Sequence, residues 1–118
     1  MLERSKKNYE SINDLFRNNI SGAIPSSIGK LKQLKVLNIA FNKLDGKLPS
    51  SIGEIENLVT LELFMNRIEG ELPASIGKLS KLEKLEMFSN NLTGKIPSEI
   101  GSLKSLKEIY LSSNDFSG

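Results

Sequence analysis

Glu62 and Glu86 are the carboxylates whose spacing could support acid–base chemistry. They lie 24 residues apart at one position of a repeating segment, so neighbouring parallel strands would hold them side by side. Retaining glycosidases use two carboxylates about 5 Å apart, a separation that adjacent strands give. The 118-residue chain, however, contains no histidine and no cysteine. The sequence therefore predicts no enzyme, no metal site and no cofactor, because these acids lack the partners such centres require.

A 24-residue repeat sets the elements that would position these acids. Five asparagines mark the repeat: Asn18, Asn42, Asn66, Asn90 and Asn114. One copy of the apolar frame runs Leu31-x-x-Leu34-x-x-Leu37-x-Ile39-x-x-Asn42-x-Leu44-x-Gly46-x-Leu48-Pro49-x-x-Ile52-Gly53. A fixed period of this length predicts a solenoid, in which each coil buries its apolar side against its neighbours.

Each framework position has a physical role. Apolar residues two apart, such as Leu37 and Ile39, point to one face of a strand, and the residues between them face solvent. Asparagine carries amide donors and a carbonyl acceptor, so stacked copies can satisfy backbone groups as a ladder. Proline drives the residue before it into an extended conformation, and the following serine, apolar residue and glycine indicate a short helical turn.

This pattern resembles the leucine-rich repeat family. The Leu-x-Gly-x-Ile-Pro-x-x-Ile-Gly-x-Leu run is similar to its plant-specific class, and the resemblance covers roughly residues 13–118. It implies an α/β solenoid, a right-handed superhelix with a parallel β-sheet on the concave face and short 3-10 helical turns on the convex side. A second short strand near the Gly-x-Ile-Pro segment is also implied. Such repeats occur in ectodomains of plant receptor-like kinases and receptor-like proteins, and in secreted inhibitors of cell-wall-degrading enzymes.

Two regions are predicted, an N-terminal cap over residues 1–12 and a solenoid over residues 13–118. The solenoid holds about five 24-residue repeats, the last of them truncated. Three polar residues fall where the frame expects leucines: Lys7, Glu10 and Asn13. The first strand is therefore predicted to be irregular, and Ile12 is placed on the outward face. Residues 2–12 also carry apolar side chains at helical spacing, so the cap is predicted to be helical or irregular, with a frayed tail as the alternative.

Charge and composition exclude several partners. Sixteen basic and 14 acidic residues give a net charge of +2, and the two signs alternate along the chain, so no nucleic-acid footprint is present. Two lysine clusters are interpreted as solvated outer faces: Lys30, Lys32 and Lys35, and Lys78, Lys81 and Lys84. No apolar run or signal peptide indicates membrane contact. The resemblance implies a cell-surface or extracellular location, whereas the absence of cysteine leaves an excerpt or an intracellular relative open.

The outward strand positions are the predicted contact surface for a protein or peptide. The partner-binding residues are predicted to be Asp14, Phe16, Arg17, Asn38, Phe41, Glu62, Phe64, Met65, Glu86, Phe88 and Tyr110. Together they form an apolar stripe bordered by carboxylates, which favours a partner with basic character. The alternative is that some of the rings only pack against the neighbouring coil.

Two further features bear on partners. Asn19 and Asn91 match the N-glycosylation acceptor pattern, although the repeat consensus itself can generate it. The last coil ends without a cap, and an unpaired strand edge favours self-association through this end. The sequence thus predicts a binding module that recognises a partner through its concave face, as part of a plant receptor-like ectodomain. An inhibitor of a secreted hydrolase and a structural or engineered fragment without a ligand are the alternatives.

Overall fold

The structure, a computed structural model, describes residues 10–117. Within this range, ten short strands follow one another along the chain: β1 (Ser11–Ile12), β2 (Ser21–Gly22), β3 (Val36–Asn38), β4 (Lys43–Leu44), β5 (Thr60–Glu62), β6 (Glu69–Glu71), β7 (Lys84–Glu86), β8 (Asn91–Gly94), β9 (Glu108–Tyr110) and β10 (Asp115–Phe116). The odd-numbered strands begin successive coils and the even-numbered strands follow each of them.

The odd-numbered strands form one parallel sheet in the order β1-β3-β5-β7-β9, so each coil pairs only with the next. Leu61 pairs with both Leu37 and Leu85, and all three side chains are fully buried. These residues point into a common interior, while the residues on either side of them in each strand face the concave side. The solenoid predicted from the period, with its parallel concave sheet, is confirmed.

Short 3-10 turns close the coils on the convex side, at Ser26–Lys30, Ser50–Glu54, Ala74–Lys78 and Ser98–Ser102. Each turn follows a proline with an extended backbone; Pro49, for example, has φ −71° and ψ 146°. The even-numbered strands form two smaller parallel sheets, β2-β4 and β6-β8-β10. The second short strand that the resemblance implies in each coil is therefore present.

The repeated asparagines link one coil to the next by hydrogen bonds. Asn66 accepts a hydrogen bond from the backbone N–H of Leu44 at 2.9 Å through its Oδ1 atom. Its Nδ2 atom donates to the carbonyl oxygens of Ile39 in the preceding coil, at 3.0 Å, and of Leu63 in its own coil, at 3.1 Å. Asn42, Asn90 and Asn114 repeat this arrangement in their own coils. In the first described coil, the side chain of Asn18 donates within its own coil, and its backbone N–H donates to Asn42 Oδ1 at 2.9 Å.

The first coil is out of phase with the others by one residue. Ser11 lies opposite Val36 and Ile12 opposite Leu37, so Ile12 is buried in the interior. The prediction that Ile12 faces outward is therefore wrong, because a one-residue shift moves a side chain to the opposite face of a strand. The 24-residue phase is restored at Arg17. Its N–H donates to the Ala40 carbonyl at 3.0 Å, as the N–H of Phe41 donates to the Phe64 carbonyl one coil later.

The first strand itself is short. Ser11–Ile12 is a two-residue strand that pairs with β3 in parallel, one residue out of the phase of the later coils. Glu10, one of the polar residues that fall where the repeat frame expects a leucine, is exposed. Residues 1–9 of the predicted cap lie outside the described residues, and the division of the chain at residue 12 stays a prediction.

Candidate functional site

Four phenylalanines form a connected aromatic stripe on the concave face: Phe16, Phe41, Phe64 and Phe88. Phe64 and Phe88 are stacked, with ring centroids 4.6 Å apart and planes 7° from parallel. Phe16 meets Phe41 at 6.1 Å and Phe64 at 6.4 Å, in both cases edge to face. These are favourable aromatic geometries, so the aromatic stripe is a preformed surface that crosses four coils.

The rings differ in how much they offer a partner. Phe16 and Phe41 are exposed, at 40% and 37%, whereas Phe64 and Phe88 are half-buried by their mutual stacking. Both interpretations of the rings thus have a counterpart in the structure, since one pair packs between coils and the other faces solvent. Met65 and Tyr110 extend the exposed apolar surface to either side of the stacked pair.

The residue directly before the ladder asparagine has a left-handed backbone in each coil. Phe41 has φ 60° and Met65 has φ 57°, values that are uncommon for bulky residues. Their N–H groups donate to the Phe64 and Phe88 carbonyl oxygens, both at 2.9 Å. Since Arg17 shares this conformation, the hydrogen bonds between coils fix the direction in which Arg17, Phe41 and Met65 leave the sheet.

Lys84 joins the two carboxylates of the central strands. Its Nζ atom lies 3.4 Å from Glu62 and 3.7 Å from Glu86. Lys84 and Glu86 are two residues apart in β7, so they share the concave face, and Glu62 lies opposite Glu86 in β5. Lys84, interpreted as part of a solvated outer face, lies instead on the concave face, where its side chain remains 36% exposed. Within residues 10–117 no group of acids, histidines or cysteines is arranged to hold a metal ion.

Electrostatics at this cluster follow from burial and from charge. The pKa of Lys84 is raised by the charge of Glu86 first and that of Glu62 second. The pKa of the Glu86 carboxyl is also raised, because burial disfavours its charged form and Glu62 repels it, and together these outweigh the attraction of Lys84. Lys84 thus holds together two acids that would otherwise repel each other.

Replacing Lys84 by methionine is expected to make stability depend more steeply on pH. A raised Glu86 pKa means that the folded state binds the proton more readily, so stability rises as pH falls through that pKa. Loss of the ammonium raises this pKa further. The urea midpoint of the variant should therefore lie well below that of the wild type at about pH 7 and approach it at about pH 4. Urea midpoints across this range measure the gap. The Lys107→Met variant, which breaks an exposed pair with Glu83, is the control; a gap independent of pH would contradict the prediction.

The remaining predicted site residues fall at the ends of the sheet. Asn38 lies in β3, and its Nδ2 atom donates to Asn13 at 3.1 Å. Asn13 therefore occupies the place beside Asn38 that the repeat frame gave to Asp14, and Asp14 lies in the turn that absorbs the extra residue of the first coil. Tyr110 is exposed in β9, the last strand of the described sheet. Both potential glycosylation residues, Asn19 and Asn91, are exposed.

Two features of the surface were missed by the sequence analysis. The cluster around Lys84 could have been found by carrying the two-residue alternation of Glu86 back along the strand. A cleft of about 410 Å³ also lies beside the aromatic stripe, and its lining includes Lys43 and Arg67, which follow the ladder asparagines Asn42 and Asn66. Nothing in the apolar period distinguishes these two residues from other exposed positions.

A parallel concave sheet, convex 3-10 turns and an asparagine ladder define a leucine-rich repeat solenoid. The family model described as a leucine-rich repeat region matches residues 14–117, and the chain belongs to the leucine-rich repeat family, in its plant receptor-like class. Leucine-rich repeat ectodomains are typically non-enzymatic binding modules. Comparison with curated proteins gave no significant match.

Solved structures of plant receptors are similar to this chain. The ectodomain of the Arabidopsis thaliana membrane receptor kinase GASSHO1/SCHENGEN3, in complex with CASPARIAN STRIP INTEGRITY FACTOR 2, matches with a TM-score of 0.89 and 38% identity over 92% of this chain. The PEPR1–AtPEP1 structure matches with a TM-score of 0.83 and 43% identity over 85% of this chain. The BIR3–SERK2 complex from Arabidopsis thaliana matches with a TM-score of 0.84 and 35% identity over 88% of this chain.

The chain spans only part of these receptors. It covers 13% of the GASSHO1/SCHENGEN3 chain, 14% of the PEPR1 structure's chain and 56% of the chain matched in the BIR3–SERK2 complex. Between residues 10 and 117, no helix has the length and apolar character needed to cross a bilayer.

Proposed function

We propose that this chain is a recognition module that binds a peptide or an extended protein segment on its concave face, as part of a plant receptor-like ectodomain at the cell surface. The observation that carries the proposal is the aromatic stripe, in which Phe16 and Phe41 remain exposed while Phe16 contacts Phe41 and Phe64 edge to face. Solvent-exposed aromatic rings held in fixed positions supply much of the energy of protein recognition.

The size of the sheet suits an extended segment. Five strands about 4.8 Å apart span roughly 20 Å, the length of about six extended residues. A segment that crosses the strands would meet the aromatic stripe along one side. Along its other side the segment would meet the acids Glu62, Glu86 and Glu108. Lys84 is the single cation in strands β5, β7 and β9. The expected ligand therefore combines apolar side chains with lysine or arginine.

Similarity to receptors supports the same proposal. Two of the matched structures contain a receptor together with a second molecule, PEPR1 with AtPEP1 and GASSHO1/SCHENGEN3 with CASPARIAN STRIP INTEGRITY FACTOR 2. A cell-surface location follows for this chain if it serves as the ectodomain segment of such a receptor.

The Phe16→Ala/Phe41→Ala double variant is expected to weaken ligand binding at least tenfold and to lower the melting temperature only slightly, through the loss of the edge-to-face contacts of the two rings. The physical reason is that both rings are exposed, so their loss removes contact area from the ligand and little from the core. Ligands are selected from a displayed library of random peptides against the wild-type chain, and their affinities are measured by biolayer interferometry.

Ile96→Ala is the matched control, because Ile96 is equally exposed, at 44%, but follows β8 and lies off the concave sheet. The control should retain wild-type affinity. The proposal fails if the selected peptides bind the double variant as tightly as wild type, or if Ile96→Ala weakens binding to the same degree.

A further inference from the structure

A cleft with three cations lies beside the aromatic stripe. It has a volume of about 410 Å³ and is lined by Arg17, Asn19, Phe41, Asn42, Lys43 and Arg67. The backbone at each cation is fixed by the hydrogen bonds between coils, with Lys43 N–H donating to the Ile20 carbonyl and Arg67 N–H to the Leu44 carbonyl, both at 2.7 Å. The cleft is thus built on rigid parts of the solenoid.

The cations are not a consequence of the repeat. The residue after the ladder asparagine changes from coil to coil: Asn19, Lys43, Arg67, Asn91 and Asp115. The left-handed residue before it changes as well: Arg17, Phe41, Met65, Ser89 and Ser113. Positive charge at these positions is confined to the first three coils, where the two series meet at one cleft. The solenoid would fold equally well with neutral residues there.

These cations have no acidic partner within the described residues. No carboxylate oxygen between residues 10 and 117 lies within 4.0 Å of the side-chain nitrogens of Arg17, Lys43 or Arg67, whereas Lys35, Lys84 and Lys107 all form such pairs. The guanidinium of Arg17 is held instead 4.7 Å above the Phe41 ring. Three cations around one cleft therefore leave a positive field for a ligand to neutralise.

We propose that this cleft binds the carboxylates of an acidic peptide segment. Its volume exceeds that of a single small ion and lies within the range of ligand pockets. Planar guanidinium groups pair with carboxylates through two parallel hydrogen bonds, and the Phe41 ring offers an apolar wall for the methylene groups of aspartate or glutamate. The inference rests on the proposed function in one respect, because the same ligand would continue from the cleft onto the concave face.

The two sites together define a ligand with a charge gradient. Glu62 and Glu86 on the sheet favour a basic segment, and the cleft favours an acidic one on the side of the first coils. A ligand bound in the reverse direction would bring like charges together at both places. The arrangement therefore fixes the direction in which a peptide lies across the strands.

The test uses a short probe that fills the cleft without needing the sheet. A tri-aspartate peptide, acetylated at its N-terminus and amidated at its C-terminus, is titrated into unglycosylated protein at low salt, and binding is followed by amide chemical shifts in NMR spectra. We expect saturable shifts at Asn19, Lys43 and Arg67. Arg67→Glu should weaken binding about tenfold, and the milder Lys43→Gln about threefold, with unchanged melting temperatures because both side chains are exposed.

Lys78→Glu is the matched control, since it makes the same charge change on the convex side and should alter affinity less than about twofold. Equal weakening by Lys78→Glu, absence of saturable shifts in the cleft, or binding of inorganic phosphate as tight as that of the peptide would overturn the proposal. Tyr110→Ala, in the last strand, separates the two proposals, because it should weaken ligands of the concave face and leave the tri-aspartate affinity unchanged.

Discussion

Asn66→Ala is expected to lower the free energy of unfolding by about 3 to 5 kcal/mol. The side chain is 8% exposed and forms hydrogen bonds to four backbone groups of two coils. Its loss leaves the N–H of the buried Leu44 without an acceptor, and an orphaned buried donor costs about 1 to 3 kcal/mol. The remaining lost hydrogen bonds add about 0.5 to 1.5 kcal/mol each.

The carbonyl partners of Asn66 are affected less, since other donors remain. The Ile39 carbonyl keeps the amide of Asn42, and the Leu63 carbonyl keeps that of Asn90. Asn18→Ala is the internal control, because the side chain of Asn18 is exposed and donates only to carbonyls of its own coil; loss of this side chain should cost less than about 1 kcal/mol. Urea denaturation compares the two variants, and equal costs would show that the ladder is not a main source of stability.

Gly53→Ala is expected to destabilise the chain by about 3 kcal/mol, through steric overlap rather than lost contacts. A methyl group at Gly53 would lie 2.8 Å from both the carbonyl carbon and the Cβ atom of Ser75 in the next 3-10 turn. The Ser75 hydroxyl donates to the Ser50 carbonyl at 2.6 Å, so the two turns cannot separate without breaking this bond.

Gly101→Ala provides the matching measurement. Gly101 occupies the same position of its 3-10 turn as Gly53, yet an added methyl group would meet no atom within 4 Å. Both variants therefore undergo the same change from glycine to alanine in the same backbone conformation. The difference between their melting temperatures measures the effect of the steric overlap with Ser75. We expect Gly101→Ala to stay within about 0.5 kcal/mol of wild type. A Gly53→Ala variant as stable as Gly101→Ala would rule out close approach of the turns.

Much of the fold could be predicted from the sequence because its contacts repeat. The apolar period placed Leu61 and Leu85 in the interior, and the asparagine interval placed the turns between coils. The error at Ile12 arose because the asparagine interval holds from Asn18 onward, while the extra residue of the first coil lies before it, near Asp14. A single sequence gives the phase of a repeat but not the point at which a residue is inserted.

The candidate site was less accessible to this reasoning because it depends on residues outside the period. The stacking of Phe64 on Phe88 follows from their equal positions in adjacent coils, and it could be expected as one of two alternatives. The cleft, in contrast, brings together Arg17 from one repeat position and Arg67 from another. Their proximity depends on how far each side chain reaches across neighbouring coils, which the spacing along the chain does not specify.

The hydrogen bonds of the asparagine ladder have a consequence for how such a molecule can change length. Bonds between coils join residues 22, 24 or 27 positions apart, always in adjacent coils. Gain or loss of 24 consecutive residues, or of a multiple of 24, reproduces these pairings, whereas a change of another size shifts one coil against its neighbour, as the extra residue of the first coil does. Duplication or deletion within the gene can therefore change the length of the solenoid only by whole coils. Each remaining coil then keeps the same type of contact with its neighbours.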